Sequence, residues 1–153
     1  MWRSVSLRKI AGSMLVVAFM LPFSVEGADP TSCNGEVSVQ VDLNQCAADR
    51  LQQADDELNR IYQAILKQYS EDRVFLEKFR KTQRAWLLFR DAELEAKFPE
   101  NDKQSYYGSV YPMCAARFLA QRTQERIKQL QEWLEGAEEG DLCAGSLRIQ
   151  STQ

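Results

Sequence analysis

Residues 47–65 read AADRLQQADDELNRIYQAI and contain the pattern that decides the fold of this chain. Apolar residues recur there with spacings of 4, 3, 4, 3 and 4, at Ala47, Leu51, Ala54, Leu58, Ile61 and Ile65. Because an α-helix turns once in about 3.6 residues, this spacing puts them all on one helical face. We therefore predict a helix from about Asp42 to Tyr69, and the Asp42–Gln45 spacing suggests a capping box at its start.

Two further segments have the same period. We predict a second helix from about Glu71 to Lys97, with Ser70 as its N-cap. A third runs from about Pro112 to Glu135, with Pro112 in its first turn and Gly136 as its stop signal. The apolar stripe of the second helix comprises Phe75, Phe79, Thr82, Trp86 and Phe89. The fold class is all-α, a small antiparallel three-helix bundle, because the first two helices are joined almost directly.

The first residues have the features of an export signal. A basic start containing Arg3, Arg8 and Lys9 precedes an apolar run over residues 10–23, and small residues follow it up to Ala28. The run is short for a bilayer span, so we interpret residues 1–28 as a signal peptide; an uncleaved anchor is the alternative. A helical domain over 29–143 and a flexible tail over 144–153 follow. We expect a periplasmic or secreted protein.

Charge and composition restrict the classes of partner. Beyond residue 28 the chain has 16 Lys and Arg against 21 Asp and Glu, a formal net charge of −5. This balance argues against nucleic acid and anionic membranes and favours a cationic protein partner. The sequence has no His and no CxxC pair, so it predicts no metal site and no cofactor.

Four cysteines in an exported chain favour two disulfides. In an up-down-up bundle the first and third helices begin at the same end, so we predict a Cys46–Cys114 bridge. Cys33 and Cys143 are then left to each other. Four cysteines allow three pairings, and the other two stay open at this point.

The segment QRAWLLFRDAE, residues 83–93, carries the densest pattern in the chain. Trp86 and Arg90 are four residues apart, so Arg90 can lie against the indole and still reach a carboxylate. Aromatic stripes at helical spacing usually belong to a core, and a packing role is the simpler interpretation.

This segment and several others resemble the N-terminal domain of LprI-type lysozyme inhibitors, a group of exported bacterial proteins. The matching elements are Asn44-Gln45-Cys46, residues 54–62, the Trp86, Arg90 and Asp91 motif, residues 108–114, Arg122–Arg126 and Glu138–Cys143. The resemblance covers about residues 33–143. It implies a periplasmic helical domain and, for some relatives, inhibition of lysozyme. The chain lacks cysteines that relatives often have near Leu94 and near the end of the third helix.

Two surface features are candidate partner-binding sites. The first is the tyrosine-containing connection, with Tyr106, Tyr107 and Ser109, because tyrosines beside small residues make good interface anchors. The second is the acidic segment after the third helix, with Glu138 and Glu139. The simpler alternative for each is ordinary packing or a solvated surface.

The sequence predicts a binding protein and not an enzyme. Asp55, Asp56 and Glu57 are consecutive and must fan around their helix, and no serine or cysteine has a histidine partner. We therefore expect non-covalent binding of a protein partner such as a cationic lysozyme. The alternative is a periplasmic envelope module with another partner and no lysozyme inhibition.

Overall fold

The computed structural model describes residues 39–150, and this part of the chain is all-helical, as predicted. The long helices are α1 (Gln40–Gln68), α2 (Arg73–Lys97) and α4 (Tyr111–Glu135); between α2 and α4 lie the five-residue α3 (Lys103–Tyr107) and a 3₁₀ turn (Gly108–Val110). The signal-peptide assignment and Cys33 lie outside the described residues.

The helix starts differ from the predicted caps. Helix α1 begins two residues before Asp42, and its N-cap Val39 makes no side-chain cap, so the expected capping box is wrong. The cap of α2 is Asp72 and not Ser70, because Asp72 Oδ1 accepts from the Phe75 amide at 2.9 Å. The predicted end of α4 is confirmed: Gly136 closes the helix with φ of 81°, a left-handed value that favours glycine.

Helices α1 and α4 run parallel and in contact along most of their length. Asn44 Nδ2 donates to the Ser109 carbonyl at 3.1 Å near one end, and Gln68 Nε2 donates to the Trp133 carbonyl at 3.3 Å near the other. Small buried residues allow the close approach: Ala47, Ala54, Ala115, Ala116 and Ala120. We call this contact the α1–α4 seam.

Helix α2 runs antiparallel to α1 and packs through large side chains. Phe79 stacks on Tyr62 with 5.5 Å between ring centroids and on Phe75 at 5.1 Å. Trp133 of α4 meets the Phe75 ring at 4.9 Å. We call this group the aromatic cluster, with the members Tyr62, Tyr69, Phe75, Phe79 and Trp133. It holds the first half of α2 against both other helices.

The predicted stripe of α2 is only partly correct. Phe75 and Phe79 are buried, and Trp86 is partly buried against the core. Thr82 is exposed, and Phe89 is 60% exposed. The other buried residues of α2 are Leu76 and Gln83, so the inner face of the helix is rotated from the predicted stripe toward these two positions.

The segment after α4 folds back on the bundle. Ala137 N donates to the Arg148 carbonyl and Gln150 N to the Ala137 carbonyl, both at 2.8 Å. The Arg148 guanidinium donates to the Gln68 carbonyl and lies 5.2 Å from the Tyr69 ring centroid. Residues 137–150 therefore cover the end of the bundle where α1 joins α2.

The two predicted disulfides are not confirmed. Cys114 and Cys143 are free thiols, and Cys46 is disulfide-bonded to neither of them. The starts of α1 and α4 do share an end, but the seam positions there are Ala47, Ala115 and Ala116.

Candidate functional site

Arg90 joins the three long helices through one polar contact group. Its Nη1 lies 3.2 Å from Asp55 Oδ1 on α1 and 3.2 Å from Thr123 Oγ1 on α4, and these two oxygens are themselves 3.2 Å apart. The Arg90 side chain is 13% exposed and Thr123 is fully buried. We call these three residues the Arg90 network. Its interior position indicates that it fixes the packing of α2.

Trp86 lies between two arginines. The Arg90 guanidinium carbon is 5.3 Å from the Trp86 ring centroid, and that of Arg126 is 5.8 Å away. Asp91, the third motif residue, accepts from Arg90 Nε at 3.1 Å and has a side chain that is 63% exposed. The structure thus brings Trp86, Arg90 and Asp91 together. Trp86 and Arg90 make cross-helix packing contacts, whereas the ion pair of Asp91 is with Arg90 on the same helix.

The three consecutive acids of α1 do fan out. Asp55 points inward to Arg90, Asp56 accepts from Gln52 at 3.0 Å, and Glu57 pairs with Arg60 at 2.5 Å. The Arg60 hydrogen bond holds the pKa of Glu57 below its ordinary value. These carboxylates therefore do not converge on one site, and no cluster of metal-ligating side chains occurs over residues 39–150.

The connection between α2 and α4 forms a cluster of packed aromatic rings, which we call the α3 corner: Phe98, Tyr106, Tyr107 and Tyr111. Tyr107 packs against Phe98 at 5.2 Å and against Tyr111 at 5.8 Å, which leaves it partly buried. Tyr106 is 69% exposed and rests edge-on against Tyr107 at 4.9 Å. Of the two predicted tyrosine anchors, Tyr106 faces solvent and Tyr107 supports it.

Local hydrogen bonds hold the corner in place. Asp102 caps α3 by accepting from the Ser105 amide at 3.0 Å and from the Ser105 hydroxyl at 2.6 Å, and these bonds lower the pKa of Asp102. Lys103 Nζ donates to Glu95 at 2.8 Å and to the Phe98 carbonyl. Ser109, the other predicted residue, is exposed, and its carbonyl oxygen is tied to Asn44.

The two predicted binding regions lie at opposite ends of the molecule. Ser109 precedes α4, whereas Glu138 and Glu139 follow it, and the 25 residues of α4 span about 37 Å. Glu138 and Glu139 are both exposed in the turn that leads into the tail. One small contact surface therefore cannot contain both regions.

Sequence reasoning missed a groove between α2 and α4. It has a volume of about 440 Å³ and is lined by aromatic-cluster residues, by Val74, Lys78 and Thr82 on one side, and by Arg126 on the other. A signal was present: Arg126 has no acid three or four residues away on its own helix, where Arg122, Thr123, Gln129 and Leu130 stand.

The comparisons with known proteins give a consistent result. A family model described as "Lysozyme inhibitor LprI" matches residues 32–130. An uncharacterized protein of Rhizobium meliloti strain 1021 is 33% identical over 136 residues, which cover 81% of this chain and 93% of that protein. No solved structure matches the chain significantly. Across residues 39–150, none of the helices has the length and apolarity that a membrane span requires.

Proposed function

Because the chain belongs to the LprI family of lysozyme inhibitors, we propose that it is an exported protein that binds a cationic wall hydrolase of the lysozyme type without covalent chemistry. The family match carries this proposal, since it extends over all of α1 and α2 and most of α4. The basic and apolar amino-terminal residues support export, and the net charge of −5 beyond residue 28 supports a cationic partner.

We assign the contact surface to the α3 corner. An exposed tyrosine that is already ordered loses little conformational freedom on binding, and such residues are typical interface anchors. Tyr106 meets this description, because its ring packs against Tyr107 and it belongs to α3, whose first turn is capped by Asp102. Glu138 and Glu139 supply negative charge at the other end, where they contribute to attraction at a distance and not to the same contact.

The test is c-type lysozyme activity measured with increasing amounts of the purified protein at low and moderate salt. We expect dose-dependent inhibition that weakens as salt rises, because the two proteins carry opposite net charge. Tyr106→Ala should weaken inhibition about tenfold or more, as removal of an interface anchor does. Leu88→Ala is the matched control, since Leu88 is 74% exposed on a different surface.

Two further outcomes locate the contact. The double change Glu138→Gln with Glu139→Gln should reduce the salt dependence and leave most of the inhibition at moderate salt. If this double variant loses inhibition and Tyr106→Ala does not, the assignment to the α3 corner is wrong. Absence of inhibition at high molar excess contradicts the lysozyme proposal and favours the alternative, an envelope module with another protein partner.

A further inference from the structure

The groove between α2 and α4 has an apolar floor and an open side. Phe75 and Phe79 of α2 and Trp133 of α4 form the floor, and Val74, which is 72% exposed, stands at the rim. The volume of about 440 Å³ falls within the range of small-molecule sites in proteins, roughly 300–1,000 Å³. The size and lining suit a small apolar body and not a large partner.

Arg126 gives the groove a cation without an acidic partner. Its Nε donates to Gln83 Oε1 at 3.2 Å and its Nη1 to Gln129 Oε1 at 3.1 Å, so both contacts are neutral amides. No carboxylate over residues 39–150 lies within ion-pair distance of Arg126. The side chain is partly buried, and burial lowers the pKa of its guanidinium. A partly desolvated cation of this kind favours an anion beside it.

The neighbouring charges reinforce this preference. Lys78 lies on the rim, and its acidic neighbour Glu77, 3.7 Å away, is bound more closely by Lys81 at 2.9 Å. The carboxylate that lines the groove, Asp72, already caps the α2 amide of Phe75. The groove is therefore locally cationic in a chain whose net charge is −3.

We propose that this groove binds a small amphipathic anion, with the carboxylate of the ligand at Arg126 and its alkyl or aryl body on Phe75, Phe79 and Trp133. The planar guanidinium of Arg126 has N–H groups beyond the two that Gln83 and Gln129 occupy, and it can present these to a carboxylate. The apolar body lies over the partly exposed Trp133 ring and reaches the edges of the buried Phe75 and Phe79 rings below it. This site is independent of the lysozyme contact at the α3 corner.

The experiment titrates the full chain with decanoate below its micelle-forming concentration and follows intrinsic tryptophan fluorescence, to which Trp133 contributes. Decyltrimethylammonium, with the same alkyl length and the opposite charge, is the matched probe. We expect saturable decanoate binding and at least about tenfold weaker binding of the cation. Equal affinity for both probes, or no saturable decanoate binding, would overturn the proposal.

Three variants test the placement of the ligand. Arg126→Gln should weaken decanoate binding about tenfold, because it removes a charge-assisted contact. Arg122→Gln is the control one turn earlier on α4; Arg122 is already paired with Glu93 and Glu125, and the variant should bind within about twofold of the original protein. Val74→Glu places an anion on an exposed rim position and should abolish binding without unfolding the protein. A normal titration of either Arg126→Gln or Val74→Glu contradicts the proposed site.

Discussion

The α1–α4 seam and the contacts of α2 with its neighbours differ in the size of the side chains that hold the helices together. Along the seam, small residues such as Ala54 and Ala120 bring two helices together over most of their length. Helix α2 has few close backbone approaches to its neighbours; it is held by the aromatic cluster at one end and by the Arg90 network in its middle. The seam distributes its stabilisation over many small contacts, whereas α2 depends on a few large side chains.

The largest predicted effect concerns the aromatic cluster. Phe79→Ala should lower the free energy of unfolding by about 3–5 kcal/mol, because the ring is 3% exposed and its removal leaves a cavity between three aromatic neighbours. Chemical denaturation monitored by circular dichroism measures this change. Phe89→Ala, the same substitution at a 60% exposed ring of α2, should change the stability by less than about 0.5 kcal/mol. Equal losses at both positions would mean that the Phe89 ring is packed as tightly as the Phe79 ring.

Overpacking tests the seam. Ala54→Leu adds volume at a position that is 6% exposed between α1 and α4 and should cost about 1–3 kcal/mol. Ala48→Leu makes the same change on the exposed side of α1 and should be close to neutral. If the two leucines are tolerated equally in denaturation measurements, small residues are not what determines the helix spacing.

A smaller effect is expected at the Arg90 network. Arg90→Gln removes the contact with Asp55 and Thr123 and should cost about 1 kcal/mol, since Asp55 is partly exposed and water replaces part of what it loses. A double-mutant cycle with Asp55→Asn isolates the pair, and Arg84→Gln on the exposed surface of α2 is the control. A coupling energy of zero would show that the motif arginine does not hold α2 through Asp55.

The smallest effect is a pH dependence from the exposed ion pair of Glu57 and Arg60. The pKa of Glu57 is lowered by the Arg60 hydrogen bond, so the pair stabilises the fold above the ordinary value of 4.5 and loses this contribution as the pH falls below it. The Glu57→Gln variant should therefore have a slightly lower melting temperature than the original protein at pH 7. At pH 3 the two melting temperatures should be equal. Glu132→Gln, an exposed glutamate of α4, is the control. A melting difference that persists at pH 3 contradicts this origin.

The sequence alone predicts much of this fold because periodicity reports which side of a helix is buried. Ala47, Ala54, Leu58, Ile61 and Ile65 were all predicted on the inner face of α1 and are all buried. The prediction fails at Thr82 and Phe89, because the inner face of α2 is rotated from the predicted stripe toward Leu76 and Gln83. Helix α3 was missed because five residues are too few to show a period, although Asp102 and Ser105 supply its cap.

Site residues were less predictable, because binding surfaces depend on which helices meet. Trp86 and Arg90 are recognisable as a motif, yet their contacts with Thr123 and Arg126 join segments more than thirty residues apart. The groove at Arg126 requires α2, α4 and the folded-back tail together. The sequence pattern of any one of these three segments does not predict the groove.

The parallel alignment of α1 and α4 has a consequence for the order in which the fold is assembled. The seam joins residues about 65 positions apart, as Asn44 with Ser109 and Gln68 with Trp133 show. The chain must therefore traverse the whole of α2 and the α3 corner before its most extensive helix contact can begin to form. Loops of this length close slowly relative to local helical turns, so α1 and α2 form before the helix that supplies their principal packing surface is in place.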